Sequence, residues 1–415
     1  MSIKFENEIP FVEEQNLLEL ANSIKTPFYV YSQKGITDTY LNLKNVIKKD
    51  IYFAIKANSN QAIIALLNSL GAGADIVSIE EMHRALTAGV NPEKIIFEGV
   101  GKSNSDLTDA INTNIRQINV ESIEELNQIN IIAKHLKKKP RIGLRLNPDI
   151  DANTLDNIST GRKADKFGID FIQLQEVCEL IKSLDYIKLI GLSCHIGSQI
   201  FDLNIFEKTF NKMKIAINIL KSNNLNINHL NLGGGFGISY NDTQKKFDIK
   251  QLSILVEKIF PDSSFNISFE PGRYLVANSG YLITKIITTK QNGGINFLIT
   301  DAGMQTLLRP AMYKAIHKIV PFNTNQEIVN YTVAGPICES SDILAKNIKL
   351  PFQKKDDFLI ICDVGAYGSV MSSRYNSKYL PIEVLVYGDK YFIIRKQENI
   401  DMIIKKDEIP TWIKN

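Results

Sequence analysis

From about residue 51 the chain alternates short β-branched runs with longer segments whose apolar residues recur at helical spacing. The strand-like runs are Ile51 to Ala57, Ala74 to Ser78, Ile95 to Val100, Arg116 to Val120, Arg141 to Asn147, Leu189 to Gly197, Leu230 to Gly234 and Asn266 to Glu270. Between the first two, Ala62, Ile63, Leu66, Leu67 and Leu70 form one apolar stripe over Asn60 to Leu70, with Ser59 placed to cap its start and Gly71 its end. Eight such βα units over roughly 230 residues have the size and rhythm of a (β/α)8 barrel. After about Gly280 the rhythm changes. Tyr281 to Thr289, the turn Asn292-Gly293-Gly294 and Ile295 to Thr300 read as a hairpin. Tyr331 to Ala334, Phe358 to Asp363, Ile382 to Tyr387 and Tyr391 to Lys396 read as further strands, with Gly388-Asp389 a tight turn between the last two. The fold class expected is α/β: a TIM-like barrel over residues 31–280 and a second, mainly antiparallel β-barrel or sandwich domain over 281–415. Phe28 to Ser32 is also strand-like, so residues 1–30 are expected to join the β domain.

Composition narrows the functional classes. Among 415 residues, 44% are hydrophobic and 22% charged, which excludes a disordered, collagenous or disulfide-scaffold chain. The 48 Lys and Arg against 45 Asp and Glu leave +3, too balanced for a nucleic-acid or membrane-surface field, so small ligands are expected. Cys178, Cys194, Cys338 and Cys362 are widely spaced without a CxxC pair, which points to a reducing compartment. The start, MSIKFENEIPFVEE, lacks a basic then apolar signal pattern, and no apolar run approaches the ~18 residues of a membrane span. A cytoplasmic protein is the expectation.

Unusual residues fall at the C-terminal ends of the barrel strands, where barrel enzymes keep their active sites. Lys56 lies in Tyr52-Phe53-Ala54-Ile55-Lys56-Ala57-Asn58. Apolar flanks desolvate such a lysine, lower its pKa and free its amine to attack a carbonyl; a surface lysine closing a strand is the plainer alternative. His195, in Ser193-Cys194-His195-Ile196-Gly197, is either a satisfied core residue or a ring that stacks on a flat cofactor. The five histidines, His83, His135, His195, His229 and His317, show no ligand-pair spacing, so no metal site is expected. Gly233-Gly234-Gly235-Phe236-Gly237 ends the seventh strand, where glycines let backbone N–H groups approach a phosphate, though a tight turn would read the same. Glu270-Pro271-Gly272-Arg273-Tyr274 ends the eighth and suits a site meeting both a protonated ring nitrogen and an anionic group, against a bland surface ion pair. Together these features describe a pyridoxal phosphate site.

The same strings carry a family resemblance. YFAIKAN at 52–58, GADIVS at 73–78, RLNPDIDANT at 145–154, STGRKADKFGI at 159–169, HIGSQI at 195–200, GGGFGISY at 233–240, EPGRY at 270–274, RPAMYKAIH at 309–317, GPICESSD at 335–342 and GAYGSVMSSRYN at 365–376 stand in the family's order. The chain resembles the diaminopimelate decarboxylases, fold-type III pyridoxal-phosphate enzymes of the alanine racemase and ornithine decarboxylase superfamily. The resemblance implies decarboxylation of meso-2,6-diaminopimelate to L-lysine and carbon dioxide, the last step of lysine biosynthesis. It implies that Lys56 is the Schiff-base lysine, His195 the stacking ring, Gly235 with the backbone of Glu270, Pro271, Gly272 and Arg273 the phosphate cradle, and Ser198 a further cofactor-binding residue. Glu270 would hold the pyridinium proton. Arg273, Arg309 and Tyr313 would anchor the substrate's distal carboxylate and Glu339 its ammonium. Cys338 would donate the proton, and Tyr367 would touch cofactor and substrate. The Cys338 loop reaches the opposite subunit's site in the family, which implies a homodimer.

The chain departs from the family at Ile79 and Glu80, usually two glycines, and at Leu155, usually His. Three rivals share some of the pattern: a related decarboxylase of a basic amino acid or carboxynorspermidine, a non-catalytic homologue that inhibits a true decarboxylase, and a cofactor-free lysine aldolase on a barrel. Cys338-Glu339-Ser340 and Arg309 favour the diaminopimelate reading over the first. Lys56, Cys338 and the cradle argue against the second, and the large β domain against the third.

Overall fold

The structure is a computed structural model that describes residues 3–151, 160–162, 165–240, 246–261, 264–324 and 326–413. Leu155 lies outside the described residues. The chain divides into two compact units, one of Gly35–Asn278 and one of Met1–Lys34 with Ser279–Asn415. Among the described residues no helix is long and apolar enough to cross a membrane.

The second unit begins with a small sheet of Lys4–Glu6, Ile9–Val12 and Gln15–Asn16 and then contributes β1 (Phe28–Ser32). The barrel of the first is built from eight parallel strands: β2 (Asp50–Ala54), β3 (Gly73–Ile76), β4 (Ile95–Phe97), β5 (Gln117–Val120), β6 (Arg141–Asn147), β7 (Lys188–Ser193), β8 (His229–Asn231) and β9 (Asn266–Phe269). They pair in chain order, β9 returns to β2, and Ile118 faces Ile142 across β5 and β6, so the expected barrel closes. Several of its helices are capped by the residue that precedes them. Ser78 accepts from the Glu81 N–H to start α2 (Ile79–Thr87), where the family's two glycines are replaced, after α1 (Gln61–Ser69). The cap of α1 is Asn60, not Ser59, because the Asn60 side chain accepts from the Ala62 N–H. Gly71, with φ +105°, follows the C-cap Leu70 rather than serving as it.

Inside the barrel runs a polar chain. Ser268 Oγ contacts His229 Nε2 at 2.8 Å, His229 Nδ1 contacts Gln117 Oε1 at 2.9 Å, and Gln117 Nε2 donates to Asn119 Oδ1 at 2.5 Å. Asn119 Nδ2 in turn donates to Glu98. Gly143 leaves the space: a Cβ there would lie 2.2 Å from Gln117 Nε2. The network thus leads from strand starts to strand ends, where the charged groups lie.

Several strand expectations run too far. β2 stops at Ala54, and Ile55–Ala57 is a 3-10 turn, closed by the Asn58 N–H donating to the Ile55 carbonyl at 2.9 Å. β7 stops at Ser193 and β8 at Asn231, before Gly197 (φ +141°) and Gly233 (φ +69°), whose backbones leave extended geometry.

In the second unit β10 (Gly280–Asn292) and β11 (Ile295–Thr300) form the expected hairpin, with Gly293 and Gly294 at φ +55° and +76° as a tight primed turn requires. They continue through β12 (Ile328–Ala334), β13 (Ile343–Pro351), β14 (Phe358–Ile361), β15 (Ile382–Tyr387) and β16 (Lys390–Arg395). β1 lies between β10 and β15. Pairing is antiparallel except for β11 with β12 and β15 with β1, so the unit is mainly antiparallel. β13 escapes the sequence reading because its ILAKNIKLP puts lysines and an asparagine among few buried positions. Val30, Ile283, Ile360, Val384 and Val386 belong to this unit's core.

Candidate active site

In the barrel unit the charged residues gather at the strand ends. Lys56, in the 3-10 turn, has Nζ 3.6 Å from Asp75 Oδ2 of β3; its side chain is 36% exposed against 1% for Asp75, so the amine is accessible and its counter-ion is not. Burial pushes the Asp75 carboxyl up to about 7, with Lys56 opposing the shift. Asp75 Oδ1 has no hydrogen-bond partner among the described residues. Glu270, next after β9, is buried and accepts from Asn231 Nδ2. Burial, then the charges of Asp75 and Glu98, push its carboxyl well above the usual range, against the pull of Lys56 and the Asn231 bond. Arg145 of β6 donates to Glu121 Oε1 at 2.7 Å and to Glu98 Oε2 at 3.4 Å. Asp75, Glu98, Glu121 and Glu270 therefore face two cations, Lys56 and Arg145, an excess of acid that a cationic ring would offset.

His195 follows β7. Its Nδ1 accepts from the Gly234 N–H at 3.3 Å, which leaves any ring proton on Nε2. Burial, then the charges of Lys56 and Arg145, push its pKa well below the ordinary value, so the ring is neutral and flat. The glycine loop is dictated by close backbone approach. A Cβ on Gly235, at φ +87°, would lie 2.3 Å from the Gly197 carbonyl oxygen, and one on Gly234 would lie 2.3 Å from the Glu270 carbonyl oxygen. Ser198 Oγ accepts from Arg273 Nε and Nη2 at 3.2 Å each, and Tyr240 hydroxyl from Arg273 Nη1 at 2.8 Å. The Pro271 carbonyl accepts from the Ala54 N–H at 3.3 Å, and Gly272 packs where a Cβ would meet Ala57 Cβ at 2.9 Å.

Lys56, His195, Ser198, Gly235, Glu270, Pro271, Gly272 and Arg273 thus share the strand-end face of one unit. Sequence reasoning missed Asp75, Glu98, Glu121, Arg145 and Tyr240. Glu98 and Glu121 carried a usable signal, since each is a charge directly following a strand, the rule that singled out Lys56; Asp75 and Arg145 lie within their strands and carried none. The donor set suits pyridoxal phosphate: an amine beside a buried carboxylate, a neutral ring, an acidic end for the ring nitrogen, and glycines with Ser198 and Arg273 for the phosphate. Among the described residues, no group of three or more His, Cys, Asp or Glu could hold a metal ion.

The remaining predicted residues belong to the second unit. Arg309 starts a short helix, Arg309–Tyr313, and is buried; its Nη1 lies 2.9 Å from His317 Nε2, and His317 Nδ1 lies 2.9 Å from the Cys362 carbonyl. Tyr313 ends that helix, half-buried. Cys338 is an exposed thiol in a loop clamped by Asp342, whose Oδ2 accepts from the Ile337 N–H at 2.7 Å and Oδ1 from the Met304 N–H at 2.6 Å. Glu339 accepts from the Tyr375 hydroxyl and from Ser341 Oγ, bonds that hold its carboxyl below the usual range. Tyr367 stands half-buried at φ +55°. Two residues on, Ser369 Oγ donates to buried Glu383 at 2.8 Å and accepts from Arg395 Nη1 at 2.9 Å.

The pyridoxal-binding domain of the pyridoxal-dependent decarboxylases matches residues 35–277. The chain is 39% identical to a diaminopimelate decarboxylase of Aquifex aeolicus over 397 residues, 95% of this chain and 94% of that one. It is similar to the crystal structure of diaminopimelate decarboxylase from Helicobacter pylori complexed with L-lysine, at 39% identity and TM-score 0.91, covering 94% of this chain and 99% of that one. It is also similar to the M. jannaschii diaminopimelate decarboxylase in complex with L-lysine, at 34% identity and TM-score 0.94, covering 99% and 98%.

Proposed function

The chain belongs to the diaminopimelate decarboxylases, within the pyridoxal-dependent decarboxylases, and from that membership we propose that it removes the D-centre carboxylate of meso-2,6-diaminopimelate as carbon dioxide and releases L-lysine. The observation that carries the reading is an accessible lysine, Lys56, salt-bridged to buried Asp75 on the strand-end face that also holds Glu270 and neutral His195.

Pyridoxal phosphate would be held by Lys56, His195, Ser198, Gly235, Glu270, Pro271, Gly272, Arg273 and Tyr367, and when bound it supplies the sink for the electron pair that the departing carboxylate leaves behind. The chain's own residues do the rest. Asp75 keeps the Lys56 side chain in place. Half-buried His195, neutral and hydrogen-bonded to the Gly234 N–H, screens one face from water. Glu270 provides negative charge for a ring nitrogen. Cys338 returns a proton to the carbon that lost its carboxylate. Arg273, Arg309 and Tyr313 bind the carboxylate of the unreacted L centre, Glu339 binds its ammonium, and Tyr367 contacts substrate as well as cofactor. These charges set specificity, because a diamine precursor without a distal carboxylate leaves two arginines unmatched. The active unit is a homodimer in which the Cys338 segment serves the second copy's barrel, as the resemblance implies. Sparse cysteine usage supports the cytoplasm as its compartment.

The test is carbon dioxide release from a panel of meso-diaminopimelate, ornithine, arginine and carboxynorspermidine by the holoenzyme. Meso-diaminopimelate should be turned over fastest, and Lys56→Ala should remove both turnover and the bound cofactor's absorbance. Faster release from ornithine or arginine sinks the proposal.

A further inference from the structure

His317 belongs to the RPAMYKAIH string, yet nothing in the reaction uses it. The ring is buried between two partners of opposite character, 2.9 Å from each. On one side the Cys362 carbonyl can only accept, so the Nδ1 opposite it carries the proton. On the other the Arg309 guanidinium can only donate, so the Nε2 opposite it presents its bare lone pair. The two demands together specify one neutral tautomer. A protonated ring would set an N–H against the Arg309 N–H.

A neutral acceptor does something a carboxylate could not. Arg141 is held bidentately by Glu93, at 2.6 and 2.8 Å, and Arg145 by Glu121 at 2.7 Å; each of those contacts fixes the guanidinium and cancels its charge. The His317 contact fixes the Arg309 fork and leaves its charge in place. Arg273, the other arginine assigned to an anionic group, is held in the same manner by the hydroxyls of Ser198 and Tyr240.

The geometry points to His317 as a positioning residue that orients the Arg309 guanidinium, through one fixed neutral tautomer anchored on the Cys362 carbonyl, for the substrate's distal carboxylate. The inference rests on the reading of Arg309 as the anchor of that carboxylate. It assigns His317 a role in recognition of the distal α-amino acid end and none in the chemistry at the other end.

Two near-isosteric variants separate the roles. In His317→Asn the side-chain amide replaces Nδ1 and keeps the Cys362 bond but falls short of Arg309; in His317→Gln the amide reaches the Nε2 position and offers Arg309 an acceptor. Calorimetric titration of the holoenzymes with L-lysine, which keeps the distal carboxylate, and with cadaverine, which lacks it, reads the effect. His317→Asn should weaken L-lysine and raise the KM for meso-diaminopimelate by roughly ten-fold, with kcat within about three-fold and cadaverine unmoved. His317→Gln should stay within about three-fold of the parent throughout. Equal loss of L-lysine and cadaverine, or a fall in kcat without a rise in KM, would show a merely structural histidine and overturn the inference. Parental L-lysine affinity in His317→Asn overturns it too. Arg309→Ala is measured alongside: if it also keeps parental affinity for L-lysine, the anchor reading has failed; if it loses affinity while His317→Asn does not, only the role of His317 has.

Discussion

At the residue scale the buried ionisable groups set the chemistry and the response to pH. Lys56 and Glu270 were legible in the sequence because a charge at the end of an apolar strand is conspicuous. The counter-ion of Lys56 was not, since Asp75 sits in GADI, where a local pattern shows only an interruption. His229 gives a pH prediction. Burial, then the charge of Arg116, push its pKa to about 3, from 6.5 for a free histidine. The unfolded chain therefore takes up a proton that the folded one refuses between those values. Stability is full above about pH 7 and falls as pH drops toward 3, by at most about 1.4 kcal/mol per pH unit from this group. Denaturant titrations at pH 7 and pH 5 measure the slope. His229→Gln, which cannot titrate, should make it shallower, and an unchanged slope would mean that His229 protonates as readily in the folded protein.

At the scale of elements, loops and strand ends hold the assigned side chains through backbone contacts. Gly235 lies at φ +87° with the Gly197 carbonyl oxygen 2.3 Å from where a Cβ would stand, so Gly235→Ala must push the two loops apart. The expected result is a protein of unchanged far-ultraviolet circular dichroism whose cofactor absorbance is lost or restored only at raised pyridoxal phosphate concentrations. Parental cofactor affinity would show that the loop has no such role. In the second unit the segment bearing Tyr367 is tied down by Ser369 to Glu383, which also accepts from the Tyr31 hydroxyl at 2.7 Å and pairs with Arg395. Glu383→Gln leaves Arg395 beside an uncharged group and should destabilise this unit by about 3 kcal/mol, read by denaturant unfolding. A loss below about 1 kcal/mol would place the Tyr367 segment under other control. The barrel strands and most of the longer strands of the second unit followed from periodicity; β13 and the short strands Lys4–Glu6, Ile9–Val12, Gln15–Asn16, Ile169–Asp170 and Ile319–Pro321 did not, because two to four residues show no period. Strand ends did not, because Gly197 and Gly233 break the extended backbone where apolar sequence continues.

For the whole molecule, the homodimer reading makes a quantitative prediction. If each site joins the barrel of one copy to the Cys338 segment of another, Lys56→Ala and Cys338→Ala are each inactive alone, yet equal amounts allowed to exchange subunits form mixed dimers with one intact site. About a quarter of the parental rate should return, since half the dimers are mixed. No recovery, with exchange verified by mass spectrometry, would place Cys338 in service of its own barrel.

The sequence by itself determined the barrel, the mainly antiparallel second unit and the identity of the strand-end lysine and glutamate. Those properties are local: side-chain period, turn glycines and the position of a charge against an apolar run can be read within a dozen residues. Only the tertiary structure decided which groups meet. Barrel closure brings Asp75 to Lys56 and sets Arg145 between Glu98 and Glu121, and the β-unit chain path sets His317 between Arg309 and Cys362. Pairing of this kind depends on where separate strands and loops come to rest, and the pKa, tautomer and orientation of each group follow from the neighbour it finds there.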